Sequence, residues 1–199
     1  MLASRINYKL ILVLLFFLNS NVYSQKLIEN NIFKVYYSEE LEQPIWLTYS
    51  VDLECSKGNV SRKGMNFYLE DSIHTSDNMD YKYNIWDKGH LAPAAHFDCS
   101  EEKLKKTFSF LNCALQYENL NKGPWRGLET FERKLAEMYK VNVRVNLIFD
   151  ENSEKLVSGA TVPSYFIKTI EFNNQKLTFK FPNDSTVNGK KWSYFIISN

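Results

Sequence analysis

The segment Asp87-Lys88-Gly89-His90-Leu91-Ala92-Pro93-Ala94-Ala95 sets a histidine between a glycine and a proline. The chain has two other histidines, His74 and His96. Imidazole titrates near neutral pH, so each is a candidate base, although a lone histidine is more often structural than functional. His90 differs in its setting. Gly89 lets the backbone pass close to another group, Pro93 stiffens the exit, and Asp87 can orient an imidazole or balance a nearby cation. His96, followed by Asp98 and Cys99, fits no standard zinc spacing, and neither HExxH nor CxxC occurs.

Downstream, Ser100 is placed to cap a short helix with Glu101 and Glu102 in its first turn. Pro124 suits the first position of a longer helix, along which Trp125, Leu128, Leu135 and Met138 recur at helical spacing to about Lys140. Val141, Val143, Val145, Leu147 and Phe149 restore a period of two, and further strands are expected near 165–172, 176–181 and 192–197. Upstream, Ile45, Leu47, Tyr49, Val51 and Leu53 alternate with Trp46, Thr48, Ser50, Asp52 and Glu54 as a half-buried strand, with 31–38 as its hairpin partner. Residues 60–86 read mostly as loop. Strands around a central helix, without βαβ alternation, predict an α+β fold with a mainly antiparallel sheet.

A second group of reactive side chains follows the histidine. Asn112 and Asn121 lie nine residues apart. Glu129 and Arg133 lie four apart, on one face of the expected helix. Each has a plain structural explanation as well. Glu129 and Arg133 can form a surface ion pair worth about 0.3–0.5 kcal/mol. Asn121, ahead of Gly123-Pro124, suits a turn leading into a helix.

Taken together, these segments resemble the DNA/RNA non-specific endonuclease family, the ββα-metal nucleases with a D-R-G-H signature. Asp87 to Ala95 matches D-R-G-H-L-x-P-A. Thr107-Phe108-Ser109-Phe110-Leu111-Asn112, then Gln116, resembles T-F-x-x-S-N-x-x-P-Q. Asn121-Lys122-Gly123-Pro124-Trp125, then Leu128-Glu129 and Arg133, resembles N-x-G-x-W-x-x-L-E-x-x-x-R. Weaker similarity runs from about Arg62 to Ile170. One tetrapeptide is weak evidence, and the ordered Asn, Trp, Glu and Arg behind it make the pattern specific.

The resemblance implies a ββα-metal fold and a role for each matching residue. His90 corresponds to the general base and Asn121 to the metal-binding asparagine. Glu129 corresponds to the carboxylate near the metal's water shell, Arg133 to the arginine one turn later, and Asn112 to an active-site asparagine. Arg62 corresponds to an upstream arginine that contacts phosphate. Lys88 and Arg126 are the expected substrate contacts. The implied cofactor is Mg²⁺, with Mn²⁺ or Ca²⁺ as substitutes, since a hard ion that keeps most of its waters needs few protein oxygens. Three departures stand out. Lys88 replaces the signature arginine, which keeps the charge and loses the planar fork. Leu115 replaces a proline. The family's closing acidic and Thr-Gly segment has no counterpart before Asn199.

Composition bounds this reading. The 199 residues are 44% hydrophobic with 12 Tyr and 14 Phe, enough for a packed core in one domain spanning 25–199. Arg5 and Lys9, the apolar run Leu10–Leu18, and Val22 and Ser24 read as an export signal over 1–24. The run is too short to span a bilayer. The chain is therefore expected to be secreted or periplasmic, with no membrane anchor after cleavage. Loss of 1–24, which carry two basic residues and no acidic ones, turns 24 basic against 23 acidic into 22 against 23. A grip on phosphate must then come from a local cluster and a metal, not from global charge. Export makes one disulfide reasonable among Cys55, Cys99 and Cys113. Cys99–Cys113 is the first candidate pair, and three free thiols are the alternative.

The expected function is a secreted, metal-dependent endonuclease acting on DNA and RNA, with room for a homodimer and an inhibitor protein as partners. Two alternatives keep the same fold. One is a catalytically weakened module that binds nucleic acid or a protein. The other is a phosphodiesterase for a different substrate.

Overall fold

The structure is a computed structural model and describes residues 24–198. The expected export signal therefore lies outside the described residues, apart from Ser24. Among the described residues no helix is long and apolar enough to cross a membrane.

A seven-stranded antiparallel sheet forms the base of the fold. Its strands are β1 (Gln25–Glu29), β2 (Lys34–Ser38), β3 (Gln43–Val51), β6 (Val141–Ile148), β7 (Tyr165–Phe172), β8 (Gln175–Pro182) and β9 (Ile196–Ser198), in the order β1-β2-β3-β6-β7-β8-β9. The alternation in the sequence sets which face is buried. Leu47 and Tyr49 of β3, Val143 and Val145 of β6, and Phe166 and Ile170 of β7 point inward. Helix α3 (Arg126–Ala136) lies on that inner face, with Leu128, Leu135 and Ala136 buried at helical spacing.

A separate two-stranded ribbon pairs β4 (Trp86–His90) with β5 (Cys113–Tyr117), with His90 opposite Cys113. Here a glycine is required. A Cβ on Gly89 would sit 2.4 Å from Gln116 Oε1 and 2.6 Å from Gln116 Cβ. Helix α1 (Glu101–Thr107) intervenes. Ser100 caps it as expected, its hydroxyl accepting from Lys103 N at 3.2 Å.

The chain then climbs from β5 to α3 through the short turn α2 (Glu118–Leu120) and a wide π-type turn, Asn121–Trp125. Pro124 has no N–H to continue the helical ladder, and Gly123 takes the non-helical angles φ −106°, ψ −109°. The widened turn therefore precedes α3 where the sequence suggested its first residue.

The structure corrects three expectations and adds an edge strand. Helix α3 stops at Ala136, so Met138 is exposed instead of packed. Residues 192–195 form a 3₁₀ turn that stacks Trp192 on Phe131, and only Ile196–Ser198 pair as a strand. An edge strand, β1, precedes the expected hairpin. The disulfide joins Cys55 to Cys99, across a separation of 44 residues with Cα atoms 4.5 Å apart. With Cys99 taken by Cys55, Cys113 is left as a free thiol buried on β5, where it donates to Tyr81 Oη at 3.2 Å. Burial pushes that thiol up to about 12, leaving it unreactive.

Candidate active site

The end of β4, the turn Asn121–Trp125 and one side of α3 face each other across a cleft of about 450 Å³. It is lined by Arg62, His90, Pro93, Ala94, Ala95, Asn121, Lys122, Arg126, Glu129 and Arg133. A larger groove of about 840 Å³ crosses the outer face of the sheet near Thr48, Ser50, Asn142 and Arg144, and holds none of the expected site residues. Chemistry, not size, singles out the smaller cleft.

His90 enters the cleft from the last position of β4. Its ring packs on Phe67 with centroids 4.8 Å apart and meets Phe108 edge-on at 5.0 Å. Nε2 is buried there without a hydrogen-bond partner. A neutral ring with its proton on Nε2 presents the Nδ1 lone pair to the cleft. Burial, reinforced by the Arg62 guanidinium, lowers the imidazole from 6.5 to about 4, so the ring stays neutral at physiological pH.

Asn121 sits across from it. Its Nδ2 donates to Asp87 Oδ2 at 3.0 Å, and Oδ1 has no protein partner among the described residues. Asp87 thus orients an amide and not the imidazole. Lys122 adds a cation to the rim, held by Glu118 at 2.8 Å and Asp87 at 3.4 Å. Sequence alone gives Lys122 no role, although its i,i+4 spacing from Glu118 is visible there.

Glu129 and Arg133 do not form the simple surface pair. Among the described residues Arg133 Nη2 donates instead to Thr130 Oγ1 at 3.1 Å. Burial raises the Glu129 carboxyl from 4.5 to about 7, against the lowering pull of Lys168 and Arg133. Arg62 and Arg126 are exposed and point their charge at the same cleft.

Two expected site residues lie elsewhere. Asn112 is fully buried, and its amide is consumed by the main chain. Oδ1 accepts from Ala92 N at 2.7 Å, and Nδ2 donates to Ala92 O at 2.8 Å and to Thr107 O at 2.9 Å. It shapes the chain just past His90 without touching the cleft. Lys88 lies two residues back along β4, behind Phe67. Its ammonium donates to Asn78 Oδ1 and lies over the rings of Phe67, Tyr81 and Phe110 at 5.4–5.7 Å. It is not among the cleft residues, because strand rise and the Phe67 ring separate it from the opening.

Cleft residues can hold a hard cation. The Asn121 amide leaves one oxygen free, and a carboxyl raised by burial lies on the neighbouring helix face. Among the described residues no three His, Cys, Asp or Glu side chains gather into a cage, and the zinc set of nitrogen and sulfur ligands is not assembled. One amide oxygen with water completing the shell suits a hard, hydrated divalent cation.

A two-stranded ribbon bearing a histidine, followed by a turn bearing Asn and a helix bearing Glu, defines a ββα-metal nuclease fold. The family model of DNA/RNA non-specific endonucleases matches residues 18–198, and the chain belongs to that family. It is 31% identical over 107 residues to mitochondrial endonuclease G of Bos taurus, covering 52% of this chain and 36% of that protein. Similarity to the mitochondrial nuclease EXOG of Danio rerio is 33% over 107 residues, covering 52% and 31%. The mitochondrial nuclease of Saccharomyces cerevisiae is 29% identical over 114 residues, covering 55% and 34%. The matched stretch thus spans 36% or less of each of these relatives. The crystal structure of an EndoG/EndoGI complex superposes with a TM-score of 0.76 at 23% identity, covering 86% of this chain and 80% of that one, a likeness of fold.

Proposed function

We propose that this protein is an exported endonuclease that hydrolyses DNA and RNA phosphodiesters with little sequence preference, using a divalent cation. The observation that carries the reading is the convergence of His90, Asn121, Glu129, Arg62, Arg126 and Arg133 on one cleft. Nδ1 of neutral His90 takes the proton from an attacking water. Arg62, Arg126 and Arg133 bind phosphate oxygens and counter the charge that grows on them in the transition state. Asn121 Oδ1 would hold the cation, and Glu129 would accept hydrogen bonds from its waters. A divalent cation held there would offset phosphate charge and stabilise the departing alkoxide. These groups address the backbone and not base edges, which accounts for the expected lack of sequence preference.

Export rests on the basic and apolar N-terminal sequence, and the Cys55–Cys99 disulfide supports an oxidising compartment. EndoG has been solved with EndoGI, and a protein inhibitor is part of this proposal on that ground. The homodimer expected from the sequence is tested by light scattering of the purified chain.

The deciding experiment is a metal-by-substrate panel on supercoiled plasmid and on RNA, with His90→Ala alongside. Digestion in Mg²⁺, its loss in excess chelator and a drop of about 100-fold or more in the variant are expected. Full activity of the variant, or full activity in chelator, would sink the mechanism. DNA retarded but uncut in every metal would favour the binding-module alternative. Cleavage of small phosphodiesters alone would favour another substrate.

A further inference from the structure

The buried face of α3 carries a carboxylate that the proposed chemistry does not use. Glu132 lies on the stripe of Leu128 and Leu135 and is fully buried. Three other parts of the fold converge on it. Lys168 of β7, also fully buried, places Nζ 2.7 Å from Glu132 Oε1. The Tyr49 hydroxyl of β3 donates to Glu132 Oε2 at 2.6 Å. His96 places Nδ1 3.7 Å from that same oxygen.

Two members of this group, His96 and Lys168, lead on to the active site. On its other side the His96 ring donates from Nε2 to the main-chain oxygen of Glu129 at 3.2 Å, since a carbonyl can only accept. His96 belongs to the segment that leaves His90. Lys168 Nζ lies 4.2 Å from the centre of the Trp125 ring. Trp125 in turn donates from Nε1 to the main-chain oxygen of His90 at 3.2 Å.

Stability alone does not account for such a group. Two ions in an apolar core carry a large desolvation cost, and hydrophobic residues of similar volume commonly serve as well or better. Apolar contacts, however, are non-directional. Hydrogen bonds and ion pairs at fixed atoms set the rotation and height of a helix against its neighbours. An error of about 1 Å between reacting groups can cost about 100-fold in rate.

We propose that Glu132, Lys168 and His96 form a positioning node that sets α3, with Asn121 and Glu129, against the segment bearing His90. They are positioning residues and touch no substrate. The inference rests on the nuclease reading of the cleft.

The full chain carrying E132L and K168M together tests it. The expected result is a folded protein whose melting temperature falls by no more than the unpaired Tyr49 hydroxyl explains, with kcat lower by about 100-fold. KM for nucleic acid stays within about twofold, because the exposed Arg62 and Arg126 lie outside the node. The Mg²⁺ concentration for half-activation rises. A double variant with wild-type kcat and Mg²⁺ response overturns the proposal. If the double variant does not fold, H96L decides, since it leaves the ion pair and removes the link to Glu129. A loss of kcat with KM held supports the node, and wild-type kcat overturns it. A wild-type protein that cuts no substrate in any metal counts against the nuclease reading instead. Calorimetric Mg²⁺ affinity then reads the node, weaker in the double variant if it stands and unchanged if it falls.

Discussion

Trp125 Nε1 donates to the main-chain oxygen of His90 at 3.2 Å, so the turn that carries Asn121 is bonded directly to the strand that carries the histidine. The indole is fully buried and sits edge-on to Phe166 and Phe181 of the sheet. One side chain thereby joins the two halves of the site to the core beneath them.

Trp125→Phe keeps the aromatic packing and removes the donor. The His90 carbonyl loses this partner in a part-buried place, which costs about 1 kcal/mol. Urea denaturation should show that loss. Activity should fall further than the loss of folded protein explains, because the spacing of His90 and Asn121 relaxes with it.

Asn112→Ala deletes three main-chain hydrogen bonds in the interior. The expected cost is on the order of 3 kcal/mol, with unpaired groups at Ala92 and Thr107. As Asn112 lies outside the cleft, kcat per folded molecule at low temperature should drop far less than in His90→Ala. Equal losses in the two variants would return Asn112 to the reacting groups.

The Arg62 guanidinium helps burial hold His90 at about 4. Loss of kcat/KM from protonation of this base should begin only as pH nears that value. Arg62→Gln removes one of the two causes, so the acid limb of the pH profile should move to higher pH. An unmoved limb would separate Arg62 from the histidine.

Glu129, raised to about 7, should titrate near neutrality in metal-free protein, as ¹³C NMR of the carboxyl can follow. Adding Mg²⁺ should move the midpoint down, because a nearby cation favours the charged form. No response to Mg²⁺ would place the ion elsewhere.

Stability should also depend on pH. Burial lowers both His90 and His96 from 6.5 to about 4, so the unfolded chain binds more protons than the folded chain between those values. Their contribution is complete above pH 6.5 and is lost as pH falls through the window. Glu129 acts in the opposite sense up to about 7, and two rings outweigh one carboxyl. The urea midpoint should be lower at pH 5 than at pH 7.5. An equal or higher midpoint at pH 5 would contradict the burial of the two rings.

Much of this was legible in the sequence. The alternation in 141–149 and 165–172 marked strands. The order Asp87, His90, Asn121, Glu129, Arg133 marked the candidate site and the family. Ser100 marked a helix start, because capping is decided by neighbouring residues. Charged residues inside apolar patterns were also in view. Glu132 stands between Leu128 and Leu135, and Lys168 between Phe166 and Ile170. Spacing puts each on the buried stripe of its own element, and nothing local says that the two face each other.

The sequence by itself determined the period of the elements, the class of fold and the family, since these follow from residue types at short spacing. Tertiary structure decided which side chains reach the cleft. Asn112 and Lys88 lie on matching segments and are turned to the interior and to an aromatic cluster. Cys99 meets Cys55, 44 residues away, and not the nearer Cys113. Direction and distance between segments far apart in the chain arise from packing, and local spacing carries no record of them.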